Sequence, residues 1–228
     1  MSKPPPAENG QHFSRRDRWA TFDCYGTLID WNGGIRRELA RVFGEARADD
    51  QLERYHDVEP KLQAGGERTY REVMREAMLE LGASGGEEDA LANALPGWEP
   101  FPEVGPALEG ARSRGWKLAL LSNTDRDFIE ASMARIGVPF ELAIVASEIG
   151  SYKPAHRHWS RFFDEVRVPR DRHVHVAQSH YHDIVPATEL GLRSIWINRY
   201  GERNDLPPTR ELADLSRLPE TLDALVTS

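Results

Sequence analysis

The sequence carries one cysteine, Cys24, in 228 residues. That excludes an internal disulfide framework and a zinc site built from several thiolates, and it suits a reducing compartment. No apolar run approaches the ~18 residues of a membrane-crossing helix. The N-terminus also lacks the apolar core of a secretory signal, so the expected compartment is the cytoplasm, with no membrane partner. Basic residues are in deficit: 29 Lys and Arg against 37 Asp and Glu leave a net charge of -8. This balance disfavours nucleic acid as a partner, while a local cationic pocket for a small anion remains open. No internal repeat is visible.

What is present is a globular composition, 39% hydrophobic and 29% charged, with enough length for one domain or one domain with an insertion. Residues 1–17, with Pro4-Pro5-Pro6 near their start, read as a flexible tail. Five short runs read as buried parallel strands: Trp19 to Cys24, Lys117 to Leu121, Leu142 to Ala146, His173 to Ala177 and Ser194 to Ile197. Between them Phe128, Ile129, Met133 and Ile136 share one helical face, and Ile184 to Leu190 repeats the pattern. The alternation predicts an α/β fold, a Rossmann-like parallel sheet core flanked by helices, over residues 18–31 and 99–228. Residues 32–98 break it. There Ile35, Leu39, Val42 and Phe43, then Tyr70, Val73, Met74 and Met78, have helical spacing with no strand, and Gly65-Gly66 interrupts them. This stretch is expected to be a helical cap inserted after the first strand.

In an open parallel sheet, ligands bind beyond the carboxyl ends of the strands. Four polar clusters fall there: Asp23-Cys24-Tyr25-Gly26-Thr27, Ser122-Asn123, Lys153-Pro154 and Gln178-Ser179-His180-Tyr181-His182-Asp183. Singly, each also describes a turn or a helix cap. Together and in this order they resemble the motifs of the haloacid dehalogenase superfamily, over nearly everything after the tail. The resemblance implies that Asp23 is a carboxylate nucleophile. Lys153 beside it would keep it ionised and oriented. Thr27 and Ser122 would donate hydroxyl hydrogen bonds to Asp23 or the substrate, and Asn123 would offer its amide to a departing anion. Cys24, the next side chain along the strand, should pack on the opposite face.

Two positions separate branches of that superfamily. Its phosphatases usually carry a second Asp two residues after the nucleophile as general acid, where this chain has Tyr25, whose phenol, with a pKa of about 10, is a poor acid. They also hold Mg2+ with acids of the last motif, where Gln178 stands in the earlier position and leaves Asp183 alone. Both departures are similar to the metal-independent (S)-2-haloacid dehalogenase branch. The implied activity is hydrolytic dehalogenation of short 2-haloalkanoic acids to 2-hydroxy acids, without cofactor. Asp23 would displace halide at C2 with inversion, and water activated by Asp183, assisted by Lys153, would hydrolyse the aspartyl ester. A Mg2+-dependent phosphatase of a small phosphomonoester and a noncatalytic binding protein on the same scaffold stand as alternatives.

Tyr25, Asn123, Ser179 and His180 are the expected substrate contacts. The family pattern adds a cap arginine that grips the substrate; Arg54 lies at a plausible distance, and its other reading is a solvated helix charge. Glu59 near the pocket would oppose an anion. Trp31, Tyr55, Tyr70 and Trp98 suggest an apolar cover over the reaction, or simply helix packing. His173 and His175 share one strand face, which reads as packing or as a metal site with His180 or His182; no cysteine supports the metal. An apolar surface on cap or core would support a homodimer, as in similar enzymes.

Overall fold

The five apolar runs form β1 (Arg18–Phe22), β2 (Trp116–Ser122), β3 (Leu142–Val145), β4 (His173–Ala177) and β5 (Arg193–Ile197). They do so in a computed structural model that describes residue 14, residues 17–64, residue 66 and residues 68–227. The tail expected over residues 1–17 lies almost wholly outside the described residues, as does Gly65. A sixth strand, β6 (Arg210–Leu212), pairs with β5 and has no counterpart in the sequence reading. Its Arg-Glu-Leu lies at the sheet edge, where nothing demands an apolar run.

All pairings are parallel, in the order β3-β2-β1-β4-β5-β6. The chain therefore leaves β1 toward one edge and returns to its other side at β4. The carboxyl ends of β1 and β4 border the crevice where such a reversal places a ligand. β1 and β4 are buried at every position, because both faces of the sheet are covered. Ala20, Phe22, Leu118, Leu120, Val174 and Val176 enter one core, while Trp19, Ala119 and Leu121 meet Trp159 and Phe162 in the other. Each large side chain buried this way stabilises the fold by about 1.5–3 kcal/mol. Cys24 joins the first core, away from the Trp159 side.

Four helices, α1 (Trp31–Phe43), α2 (Ala48–Gln63), α3 (Tyr70–Glu80) and α4 (Ala90–Ala94), fill the stretch between β1 and the helix preceding β2. The sheet is flanked by α5 (Val104–Ser113), α6 (Arg126–Ile136), α7 (Ala146–Ile149), α8 (Arg157–Val166), α9 (Val185–Glu189) and α10 (Leu218–Leu225). None of the described helices is long and apolar enough to cross a membrane. The start of α3 aims a side chain at the strand ends. Thr69 and Glu72 form a capping box there. Asp125, just before α6, reaches across so that its two oxygens accept the backbone N–H groups of Tyr70 and Arg71, each at 2.9 Å. A core carboxylate thus satisfies two orphan donors of a helix in the inserted block. Gly34 lets α1 close over Trp98, since a Cβ there would stand 2.4 Å from the indole.

Candidate active site

Asp23 directly follows β1, and both of its oxygens are held. Thr27 Oγ1 donates to Oδ2 at 2.8 Å, and Lys153 Nζ donates to Oδ1 at 2.9 Å. The turn between Asp23 and Thr27 needs Gly26, whose φ of 87° belongs to the left-handed region. Thr27 Oγ1 accepts the Gln178 backbone N–H at 2.8 Å, so its own proton is left for Asp23. Lys153 is set by Asn123, whose side chain accepts the Lys153 N–H at 2.6 Å and donates to the Lys153 carbonyl at 3.0 Å. The Asn123 amide, expected to meet a departing anion, gives one of its two N–H groups to holding the lysine, and the side chain also lines the cavity. Ser122 Oγ is buried at the cavity wall with no hydrogen-bond partner.

Lys153 Nζ also donates to Asp183 Oδ1 at 2.6 Å, and His175 Nε2 lies 2.9 Å from the same oxygen. Asp183 Oδ2 is buried and unpartnered. Burial pushes the Asp183 carboxyl up, but the Lys153 charge and the His175 hydrogen bond outweigh it and hold the group at about 2. Burial also lifts Asp23 above the ordinary carboxylate value, against the pull of Lys153 and with Asp183 repelling. The two carboxylates together raise Lys153 despite its burial, so the ammonium stays charged between them.

A cavity of about 220 Å3 opens over these groups. Trp31, Tyr70, Glu59 and Gln63 line it from the helical block, facing Tyr25 and His182 from the sheet side. Trp31 Nε1 donates to the Tyr70 hydroxyl at 2.9 Å, and that hydroxyl donates to Glu59 Oε1 at 3.1 Å. Tyr25 stacks on Tyr70 with ring centroids 6.3 Å apart, and its hydroxyl bonds Ser132 Oγ at 3.0 Å. Burial pushes the Glu59 carboxyl up to about 7, with Tyr70 opposing and Asp23 adding repulsion. Tyr55 and Trp98 are buried in the core beside the cavity without lining it.

Two expected contacts fall elsewhere. Arg54 donates to Gln51 Oε1 at 2.8 Å and to the Glu80 carbonyl at 3.1 Å, away from the cavity. The buried face of α2 carries Gln51, Tyr55, Glu59 and Gln63, each four residues from the next, and Arg54 sits to its side. The i, i+4 run of polar residues on an inward face was the signal that could have added Gln63 to Glu59, which the sequence already sets near the pocket. His180 donates to the Leu206 carbonyl at 2.8 Å and packs edge-on against Trp196; His182 faces the cavity instead. The cause is one turn of π-helix, His180–Ile184, which changes which side chain points inward. Ser179 caps that turn, bonding the His182 backbone N–H at 3.1 Å, and lines the cavity. His173 and His175 meet Thr21 rather than His180 or His182. Among the described residues no three His, Cys, Asp or Glu side chains are grouped to hold a metal ion.

The chain as a whole has relatives among known proteins. The (S)-2-haloacid dehalogenase H-109 of Pseudomonas putida is 27% identical over 215 residues, covering 88% of this chain and 96% of the relative. An L-2-haloacid dehalogenase crystal structure superposes with a TM-score of 0.81 at 22% identity, covering 91% of this chain and 99% of that one. The L-2-haloacid dehalogenase of Xanthobacter autotrophicus, solved with chloropropionic acid covalently bound, gives a TM-score of 0.79 at 18% identity over 90% and 98% of the two chains. These two likenesses are of fold. The family model for haloacid dehalogenase-like hydrolases matches residues 18–188, a span that contains Asp23, Thr27, Ser122, Lys153 and Asp183, and the chain belongs to that family.

Proposed function

We propose that the protein hydrolyses short 2-haloalkanoic acids to 2-hydroxy acids through an ester on Asp23. The observation that carries this reading is a held carboxylate, Asp23, with a tyrosine and not a carboxylic acid two residues after it to protonate a leaving group. Tyr25 occupies that place, its hydroxyl is spent on Ser132, and burial pushes its pKa well above the ordinary phenol value. A halide departs without a proton, whereas an alkoxide needs one. The chloropropionic acid held covalently in the Xanthobacter enzyme supports the same reading.

In the first step Asp23 attacks C2 from the side opposite the halogen, the C–X electron pair leaves with the halide, and C2 inverts. In the second, water attacks Cγ of Asp23 while Asp183 takes its proton. The Cγ–O bond to the alkyl group then breaks, and that proton passes to the departing alkoxide. Lys153, 2.9 Å from Asp23 Oδ1, offsets the negative charge that builds on the ester oxygen. The helical block acts as the cap over this chemistry, and its aromatic side chains keep bulk water away.

The donors do not fit Mg2+. Asp23 Oδ1 faces an ammonium, Oδ2 a hydroxyl, and Gln178 stands where a phosphatase would offer an acid. Halide release from 2-chloropropionate should persist in EDTA. A single turnover in oxygen-18 water should leave the label in the Asp23 carboxyl. Mg2+-dependent hydrolysis of a phosphomonoester with no halide release would sink the proposal.

Glu59 is the carboxyl that the helical block turns to the cavity, and no Arg lines the cavity among the described residues. As a neutral acid Glu59 tolerates a carboxylate substrate; ionised, it repels one. Titration at about 7 then predicts a roughly tenfold fall in kcat/KM for 2-chloropropionate between about pH 6 and pH 8, following the protonated fraction. Glu59→Gln should flatten that profile, and a wild-type profile flat across the range would remove Glu59 from substrate binding.

A further inference from the structure

A row of buried polar side chains behind Asp183 has no part in the two steps above. β1 and β4 pair with Thr21 opposite His175. Thr21, His173 and His175 are 0% exposed, enclosed on the face where Trp159 and Phe162 pack against the imidazoles. Thr21 Oγ1 lies 2.8 Å from His173 Nε2 and 2.8 Å from His175 Nδ1. His175 Nε2 then lies 2.9 Å from Asp183 Oδ1. Apolar side chains would fill this space without the desolvation cost that three polar ones carry.

The protons of the row can be placed by requiring each one to have an acceptor. His173 Nδ1 is buried without a partner, so the lone pair belongs there and the proton on Nε2, which donates to Thr21 Oγ1. Burial, which holds His173 neutral, agrees. Thr21 has one proton, and having accepted from His173 it gives that proton to His175 Nδ1. His175 is left with its proton on Nε2, directed at Asp183, which as a carboxylate can only accept. Every donor points the same way: His173 to Thr21, Thr21 to His175, His175 to Asp183 Oδ1.

With Lys153 on the same atom, Oδ1 accepts two hydrogen bonds, and Oδ2 is the oxygen left without a partner. Lys153 alone would hold either oxygen of a carboxylate free to rotate; a second donor from the opposite side fixes which one is free. We infer that His175 is a positioning residue for ester hydrolysis, holding Asp183 so that Oδ2 receives the proton of the attacking water. The inference rests on the Asp23 ester of the proposed function. In the step itself the water oxygen bonds to Cγ of Asp23 and its proton goes to Asp183 Oδ2. His175 stays neutral and gives up nothing. Formation of the ester needs no proton transfer to Asp183, so the effect of His175 should separate by step.

The test is a rapid-quench single turnover of 2-chloropropionate, with halide, hydroxy acid and the Asp23 peptide mass followed together. In His175→Leu the halide burst should stay within about threefold of the wild type. Hydrolysis should slow about 100-fold, the low end of what a positioned general base contributes, and the ester should accumulate on Asp23. His175→Gln, whose amide nitrogen can reach Asp183 in place of Nε2, should recover about tenfold. Equal slowing of both steps, or no ester accumulation, overturns the inference. A second measurement needs neither substrate nor variant: nitrogen-15 shifts of the wild type should show His175 protonated at Nε2 and bare at Nδ1. A proton on Nδ1 overturns the row. Wild-type protein that releases no halide would sink the dehalogenase reading alone, and the tautomer would still decide the inference.

Discussion

Asp23→Asn should lower 2-haloacid turnover by at least about 10^4-fold, with the loss entirely in the first step. An amide oxygen carries neither the charge nor the basicity to displace a halide, and the effect of removing a covalent nucleophile in other hydrolases is of that size. Shape is nearly preserved. The Asn carbonyl oxygen can still accept from Lys153 or Thr27, now at 2.9 Å and 2.8 Å from the carboxylate. The variant should therefore fold, with a melting temperature within a few degrees of the wild type, while rapid-quench traces show no halide burst and no ester. Halide release near the wild-type rate in a folded Asp23→Asn protein would mean direct attack by water and would end the covalent reading.

Lys153→Met should cost both activity and fold. Lys153 is 2% exposed, with Asp23 and Asp183 at 2.9 and 2.6 Å, and no other Lys or Arg lines this cavity among the described residues. Removing it leaves two buried carboxylates facing each other, a change that typically costs about 3–5 kcal/mol. The sign of the pH dependence distinguishes this from lost packing. In the wild type the Asp183 pKa is lowered from 3.8 to about 2. Its contribution, roughly 2 kcal/mol, is present above the ordinary carboxylate value and is lost as pH falls toward 2. Without Lys153, burial and mutual repulsion act on Asp183 and Asp23 against only the hydrogen bonds from His175 and Thr27, and they raise the pKa of at least one carboxyl. A raised acid binds its proton more readily in the folded state, so the variant should gain more stability than the wild type as pH falls from about 7 to 5, beyond the gain that Glu59, with its pKa pushed up to about 7, gives both proteins. Urea midpoints at those two pH values check this, and parallel behaviour of the two proteins would count against the buried-charge account.

Much of this arrangement was legible in the sequence because buried parallel strands appear as short apolar runs and their carboxyl ends collect the polar residues. That reasoning located five strands and gathered Asp23, Ser122, Lys153 and Asp183, which the fold brings to one cavity, with Thr27 bonded to Asp23 behind it. What escaped it depends on geometry between segments. The inward face of α2 is set by its packing on α1 and α3, so Gln63 joins Tyr55 and Glu59 in facing inward while Arg54, beside them, does not. His180 and His182 exchange places because one π turn replaces an α turn, a choice that periodicity does not record. That Asn123 also seats Lys153 shows only once the loop after α7 brings the Lys153 backbone to it. The Thr21 partnership with His173 and His175 exists only in the register of β1 against β4. β6 is three polar-leaning residues whose strand character comes from the neighbour it pairs with.

The bond between Asp125 and the first turn of α3 has a kinetic meaning. In the proposed reaction substrate and products would pass between the helical block and the sheet, two bodies that this carboxylate fastens together. Hydrogen bonds to a charged acceptor contribute about 1.5–3 kcal/mol each, and two of them must be exchanged for water whenever that seam parts. The clasp sits two residues beyond Asn123, which grips Lys153, and three beyond Ser122 at the cavity wall. The seam and the seat of the lysine therefore share one short loop, and in the proposed reaction the escape of hydroxy acid would be tied to the same loop that organises the charges beneath it.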